Sequence, residues 1–88
     1  MADQQSSAAI EFYWRPGCPF CMMLERGLGK ANVTLDKRNI WEDPDAAAFV
    51  RSVAGGNETV PTVRVGDTSM VNPSAKQVLA LLHHEASS

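Results

Sequence analysis

Cys18 and Cys21 are the only two cysteines in this 88-residue chain, three positions apart in Arg15-Pro16-Gly17-Cys18-Pro19-Phe20-Cys21. Two thiols at that spacing can exchange two electrons with a disulfide, one sulfur attacking and the other displacing the product. They stand at what reads as a helix start. Asp43-Pro44 and Asn72-Pro73 precede the other two amphipathic runs and read as a cap followed by a proline in the first helical position. In the first helix Cys18 takes the capping place. The first NH groups of a helix lack backbone partners and Pro19 has none, so Phe20 and Cys21 are the expected donors to the Cys18 sulfur. Such a site favours thiolate over thiol. The helix dipole contributes about 0.3 to 2 kcal/mol, at most about 1.5 pKa units, and hydrogen bonds supply any further fall from ~8.5 toward neutrality.

Cys21 lies one turn in and shares the apolar stripe of Leu24 and Leu28, so it is expected to be buried. The pair therefore divides into an exposed nucleophile, Cys18, and a resolving thiol, Cys21, which attacks from within three residues. Arg15, three residues before Cys18, is a candidate to add a cationic field and to hold a substrate carboxylate; its alternative is a solvated surface arginine. Phe20, outward between the cysteines, suits substrate contact. A structural disulfide across so small a loop would stabilise little. Cys18 and Cys21 with His83 and His84 could in number make a Cys₂His₂ set, but adjacent helical histidines diverge and zinc spacing is absent, so no metal is expected.

The elements that carry these residues follow from pattern. Ile10 to Trp14 reads as a buried strand ending at a turn, and Pro19 to about Ala31 as a helix stopped by Asn32. Gly27 and Gly29 weaken that helix by roughly 1 kcal/mol each relative to alanine. Val33 to Ile40 reads as a second strand. A second helix follows Asp43, with Ala46, Phe49, Val50 and Val53 as its stripe and Gly55-Gly56-Asn57 as its end. Thr62 to Val65, Gly66-Asp67 and Thr68 to Val71 read as a hairpin with a primed turn. Asn72 caps the last helix, Pro73 opens it, and Ala75, Val78, Leu79 and Leu82 line its buried face. Trp14 and Trp41 have the size of core residues, and Met22 and Met23 read as gap-filling or surface residues.

Strand, helix, strand implies a parallel right-handed crossover, to which the hairpin adds two antiparallel strands. The expected fold class is α/β, a four-stranded mixed sheet with three helices in the order βαβαββα. Chemistry in such sheets gathers beyond the carboxyl end of a parallel strand, where the first strand delivers the cysteines. With 44% apolar and 20% charged residues the chain fits one domain, residues 1–88 with a core of about 9–84. Eight basic against ten acidic residues leave a net charge of −2 and no basic stripe, so nucleic acid is not an expected partner. The opening MADQQSSAA has neither the basic lead nor the apolar run of a signal peptide, and no apolar stretch spans a membrane. Cytoplasm is expected, as is fraying over residues 1–8 and from Glu85 to Ser88.

This layout resembles the thioredoxin fold in its small glutaredoxin form, with Cys-Pro-Phe-Cys after the first strand and Thr59-Val60-Pro61-Thr62 before the hairpin. The resemblance implies a thiol-disulfide oxidoreductase with Cys18 as nucleophile and Cys21 resolving. It implies a cis Pro61 facing the cysteines, and a Val60 backbone that pairs with the substrate's cysteinyl backbone like an added strand. Phe49 to Val63 and Val71-Asn72-Pro73-Ser74 are similar to the mycoredoxins, glutaredoxin-like enzymes of actinobacteria that use mycothiol. Glutathione-using relatives commonly carry Gly-Gly and an acidic pair there; Asn72 and Ser74 offer uncharged hydrogen bonds, which suit a sugar-bearing thiol better than a glutamyl end. The resemblance thus implies reduction of mixed disulfides between proteins and a small thiol, mycothiol or alternatively glutathione, as co-substrate with no bound cofactor. A flavoprotein disulfide reductase would recharge the thiol pool, and the chain would act as a monomer. The other alternative is a thioredoxin-like electron donor reduced directly by a flavoprotein reductase. No G-x-G-x-x-G for NADPH is present. The C-terminal Trp-Ser-Gly-Phe of the ribonucleotide reductase donors and the C-G-F-S of cluster-binding glutaredoxins are also missing.

Overall fold

In the computed structural model, which describes residues 10–87, the elements are β1 (Ile10–Trp14), α1 (Pro19–Lys30), β2 (Leu35–Asn39), α2 (Pro44–Val53), β3 (Thr62–Val65), β4 (Thr68–Val71) and α3 (Ala75–Ser87). The fraying expected over residues 1–8 and at Ser88 lies outside the described residues. Helix α3 itself continues through Ser87, past the Glu85 at which the chain was expected to loosen. The sheet order is β2-β1-β3-β4, with β1 parallel to β2 and antiparallel to β3, and β4 antiparallel to β3. This is the expected mixed sheet of a glutaredoxin-type thioredoxin fold.

Strand β1 is apolar almost throughout because helices cover both its faces. Ile10 and Phe12 are fully buried among Leu24 and Leu28 of α1, Val63 and Val65 of β3 and Val78 of α3. Tyr13, on the opposite face, packs with Ala46, Ala47 and Val50 of α2, and its ring stacks on Phe49 with centroids 4.8 Å apart. Its hydroxyl donates to Glu11 Oε1 at 2.6 Å. Burial first, and then the hydrogen bond and charge of Glu11, push the phenol up to about 12 from its ordinary 10.0. Strand β2 is shorter than the expected Val33 to Ile40. It is an edge strand with Asp36 and Lys37 exposed, which accounts for its imperfect alternation.

The helix ends follow local chemistry. Asn32 adopts φ 64° after α1, and its NH donates to Gly29 O at 3.1 Å. Gly55 at φ 68° and Gly56 at φ 94° close α2, the Gly56 NH donating to Arg51 O at 2.8 Å in a Schellman arrangement. Gly66, at φ 61°, supplies the positive φ that a primed hairpin turn needs at its first position.

Two expectations fail here. Asn72 does not cap α3 and Pro73 does not open it. Ser74 does the capping, its Oγ accepting from the Gln77 NH at 3.1 Å while Gln77 Oε1 accepts from the Ser74 NH at 2.8 Å. This is a capping box. Asn72 instead takes a left-handed φ of 53°, which delays the helix by two residues. Trp41 is not a core residue either, being 64% exposed. Ile40 fills the buried place against α2, and the next residue turns outward. Trp14, by contrast, is half-buried and packs against the α1 and α3 core.

Candidate active site

The sheet register lines up four chain ends along one edge. Trp14 lies beside Asn39 and Tyr13 beside Thr62, while Thr62 lies beside Val71. Beyond this edge the chain continues as Ile40-Trp41 from β2 and Arg15 to Cys18 from β1. Next to them Val60-Pro61 enters β3 and Asn72 leaves β4. At the usual 4.7–4.9 Å between strands these four segments span about 14 Å. Cys18 and Pro61 occupy the two middle positions, Trp41 and Asn72 the flanks.

Cys18 holds φ −102° and ψ 103°, an extended cap before Pro19. Its Sγ accepts from the Cys21 NH at 3.2 Å, so of the two expected donors it is Cys21 that points at the sulfur. The two sulfurs are bonded to each other, with Cα atoms 5.2 Å apart. Cys18 is 3% exposed and Cys21 2%. The expected exposed Cys18 is therefore not seen in this paired form, because Cys21 covers one side of its sulfur and the loop before β3 another. What distinguishes the two is position, Cys18 ahead of the helix and Cys21 within its buried stripe.

That loop is held from both ends. The Val60–Pro61 peptide is cis. The Thr62 hydroxyl donates to Thr59 O at 2.7 Å, and the Asn72 NH donates to Pro61 O at 2.7 Å. Val60 O lies 3.8 Å from Cys18 Sγ. Asn72, expected as a substrate contact, thus also ties the end of β4 to the proline loop beside the cysteines.

Between α1 and the start of α3 runs a groove of about 240 Å³ lined by Phe20, Met23, Leu24, Asn72, Pro73, Ser74 and Ala75. It brings Phe20, Asn72 and Ser74 together, three residues read from sequence as substrate-binding. Met23, Pro73 and Ala75 were missed. The available signal was Phe20 and Met23 at helical spacing on the outward side of α1, where they are 62% and 63% exposed, next to Leu24 of the buried stripe. Arg15 stands on the other flank, its guanidinium over the Trp41 ring at 5.7 Å and its Nη1 donating to Pro16 O at 3.2 Å. Among the described residues no group of three or more His, Cys, Asp or Glu side chains is gathered as a metal site. Among the described residues no helix is long and apolar enough to cross a membrane.

A vicinal pair at a capped helix start, beside a cis-proline loop, is equipped for thiol-disulfide exchange. Comparison with known proteins agrees. The glutaredoxin family profile matches residues 10–70, well over half of the chain. A Mycobacterium tuberculosis protein assigned as a glutaredoxin is 42% identical over 77 residues, covering 86% of this chain and 92% of that protein. Mycoredoxin 1 of Corynebacterium glutamicum is 38% identical over 72 residues, 81% of this chain and 89% of that one. Among solved structures, the glutaredoxin-like NrdH-redoxin of Escherichia coli superposes with a TM-score of 0.71 at 26% identity, covering 83% and 93% of the two chains. A glutaredoxin from Archaeoglobus fulgidus reaches 0.71 at 21% identity over 85% and 86%. The chain belongs to the glutaredoxin family of thiol-disulfide oxidoreductases.

Proposed function

We propose that this protein, working as a single-domain monomer in the cytoplasm, reduces mixed disulfides between proteins and a small thiol, mycothiol. The observation that carries the chemistry is the Cys18 sulfur at the α1 cap, facing the Cys21 NH at 3.2 Å and the Val60 carbonyl at 3.8 Å. The ionised Cys18 sulfur attacks the small-thiol sulfur of the mixed disulfide. That S–S bond breaks, a new one forms between Cys18 and the small thiol, and the protein leaves as a thiolate that solvent protonates. A second small thiolate then attacks the bound small-thiol sulfur, giving its symmetrical disulfide and freeing Cys18. Alternatively Cys21 attacks Cys18 Sγ, forming the Cys18–Cys21 bond and releasing the small thiol. The two electrons that reset the system come from the thiol pool, recharged by a flavoprotein disulfide reductase.

The choice of mycothiol is supported by the similarity to mycoredoxin 1 and by the uncharged Asn72 and Ser74. In this reading they meet an uncharged acyl group where glutathione would bring a charged glutamyl end. Val60 and Pro61 receive the substrate's cysteinyl backbone, Phe20 covers it and Arg15 borders it. The deciding experiment supplies purified protein with mycothiol or glutathione as sole reductant, on matching mixed disulfides. Faster turnover with mycothiol is expected; faster turnover with glutathione overturns the thiol assignment.

A second reading comes from the likeness to the NrdH-redoxin, a protein described as having a thioredoxin-like activity profile. It predicts reduction by a flavoprotein reductase with no small thiol present.

A further inference from the structure

We infer that Trp41, with Arg15 stacked on it, is a specificity-determining platform for the sugar ring of the small thiol. The inference rests on the mycothiol reading above. Its starting point is an indole with no structural duty. Trp41 is 64% exposed and belongs to neither buried cluster. The turn that carries it is nevertheless fixed. The Trp41 NH donates to Asn39 Oδ1 at 2.9 Å, and the Glu42 and Asp43 NH groups donate to Asn39 O at 3.1 and 3.0 Å. Asp43 in turn caps α2. An exposed aromatic on a pinned turn offers contact area at little ordering cost.

Position selects the ligand. The end of β2 is the neighbour of the end of β1, so Trp41 sits about one or two strand spacings, on the order of 5–10 Å, from the line on which Cys18 lies. That is the reach of a substituent on the substrate cysteine itself. With its sulfur at Cys18, a cysteine derivative points one branch toward each flank. Mycothiol carries a small acetyl group on the cysteine nitrogen and a glucosamine-linked inositol on the carboxyl carbon. The groove lined by Phe20, Met23, Pro73 and Ala75 suits the acetyl methyl. The open indole suits the ring, whose carbon-bound hydrogens present positive charge to the negative face of the aromatic system. The Arg15 guanidinium over the indole, at 5.7 Å, orders it and offers donors to the hydroxyls at the sugar rim.

The test compares two mixed disulfides of one peptide, carrying either mycothiol or N-acetylcysteine, which is the same acyl-cysteine without the sugars. Trp41→Ala is expected to raise KM for the mycothiol disulfide about tenfold. It should leave kcat unchanged and KM for the N-acetylcysteine disulfide where it was, and Trp41→Phe should restore most of the loss. An equal rise for both disulfides would assign Trp41 to the peptide half, and no rise would leave it without a substrate role; either overturns the platform. A second measurement needs no turnover. In Cys21→Ser protein trapped as its Cys18 mixed disulfide, tryptophan emission should differ between the two adducts, and the difference should vanish with Trp41→Phe. Identical emission also overturns the platform. Wild-type protein that fails to use mycothiol brings down the thiol assignment and the platform together. Good mycothiol turnover with a silent Trp41→Ala brings down the platform alone.

Discussion

Helices α1 and α2 lie on opposite faces of β1 and begin alike. Each has an extended cap, at φ −102° and ψ 103° for Cys18 and φ −123° and ψ 100° for Asp43, followed by a proline. Each cap accepts at 3.2 Å from the NH three residues on. The difference is the accepting atom. At Asp43 an oxygen that is already anionic satisfies the helix and nothing more follows. At Cys18 the same donor meets a sulfur whose charge depends on its surroundings, so a device that merely stabilises α2 becomes, in α1, a means of setting reactivity. On the α2 side of the strand, burial keeps the Tyr13 phenol neutral.

The sharpest way to break this comparison is to remove the sulfurs one at a time. Cys18→Ser should cut mixed-disulfide reduction by at least roughly 10³-fold, while Cys21→Ser keeps a measurable rate with small thiol as reductant. Equal losses would mean that the cap confers no special role. Next in size is the charge on Cys18. In the reduced protein its thiolate absorbance should have a midpoint well below ~8.5, and the rate should fall as pH drops through that midpoint. A midpoint at the ordinary value would reduce the two caps to equivalents.

Asp43→Ala tests the other helix. It should lower stability to denaturant by about 1 kcal/mol and leave the Cys18 midpoint unmoved. At neutral pH the smallest effect, none at all, belongs to Tyr13. As the only tyrosine it can be followed by phenolate absorbance, which should appear near 12 instead of 10.0. Because the folded state raises this pKa, its contribution to stability is complete below pH 10 and is lost as pH rises toward 12. Tyr13→Phe should remove that alkaline loss.

Much of this was legible because local rules and tertiary context agreed. Cys18 stood out against Asp43-Pro44, and the β-branched and aromatic run from Ile10 to Trp14 read as a buried strand. Where the two disagreed, sequence misled. Asn72-Pro73 has the composition of a helix start, yet the NH bond from Asn72 to Pro61 O holds the chain in a left-handed turn. The capping pair Ser74 and Gln77 was visible as Ser-x-x-Gln but was masked by the stronger Asn-Pro signal. The exposure of Trp41 depends on Ile40 having filled the core, which no local pattern states. The cis Val60–Pro61 bond was implied by resemblance rather than by the residues around it.

The two glycines of α1 are alike in sequence and unlike in place. A Cβ on Gly29 would meet nothing within 4 Å, whereas one on Gly27 would come within 2.9 Å of the Ala75 Cβ. Ala75 also lines the groove, as do Met23 and Leu24 one turn before Gly27. The missing methyl at Gly27 therefore acts as a spacer gauge. It sets how near α3 may come to α1, and so the bore of the groove that opens beside the redox pair.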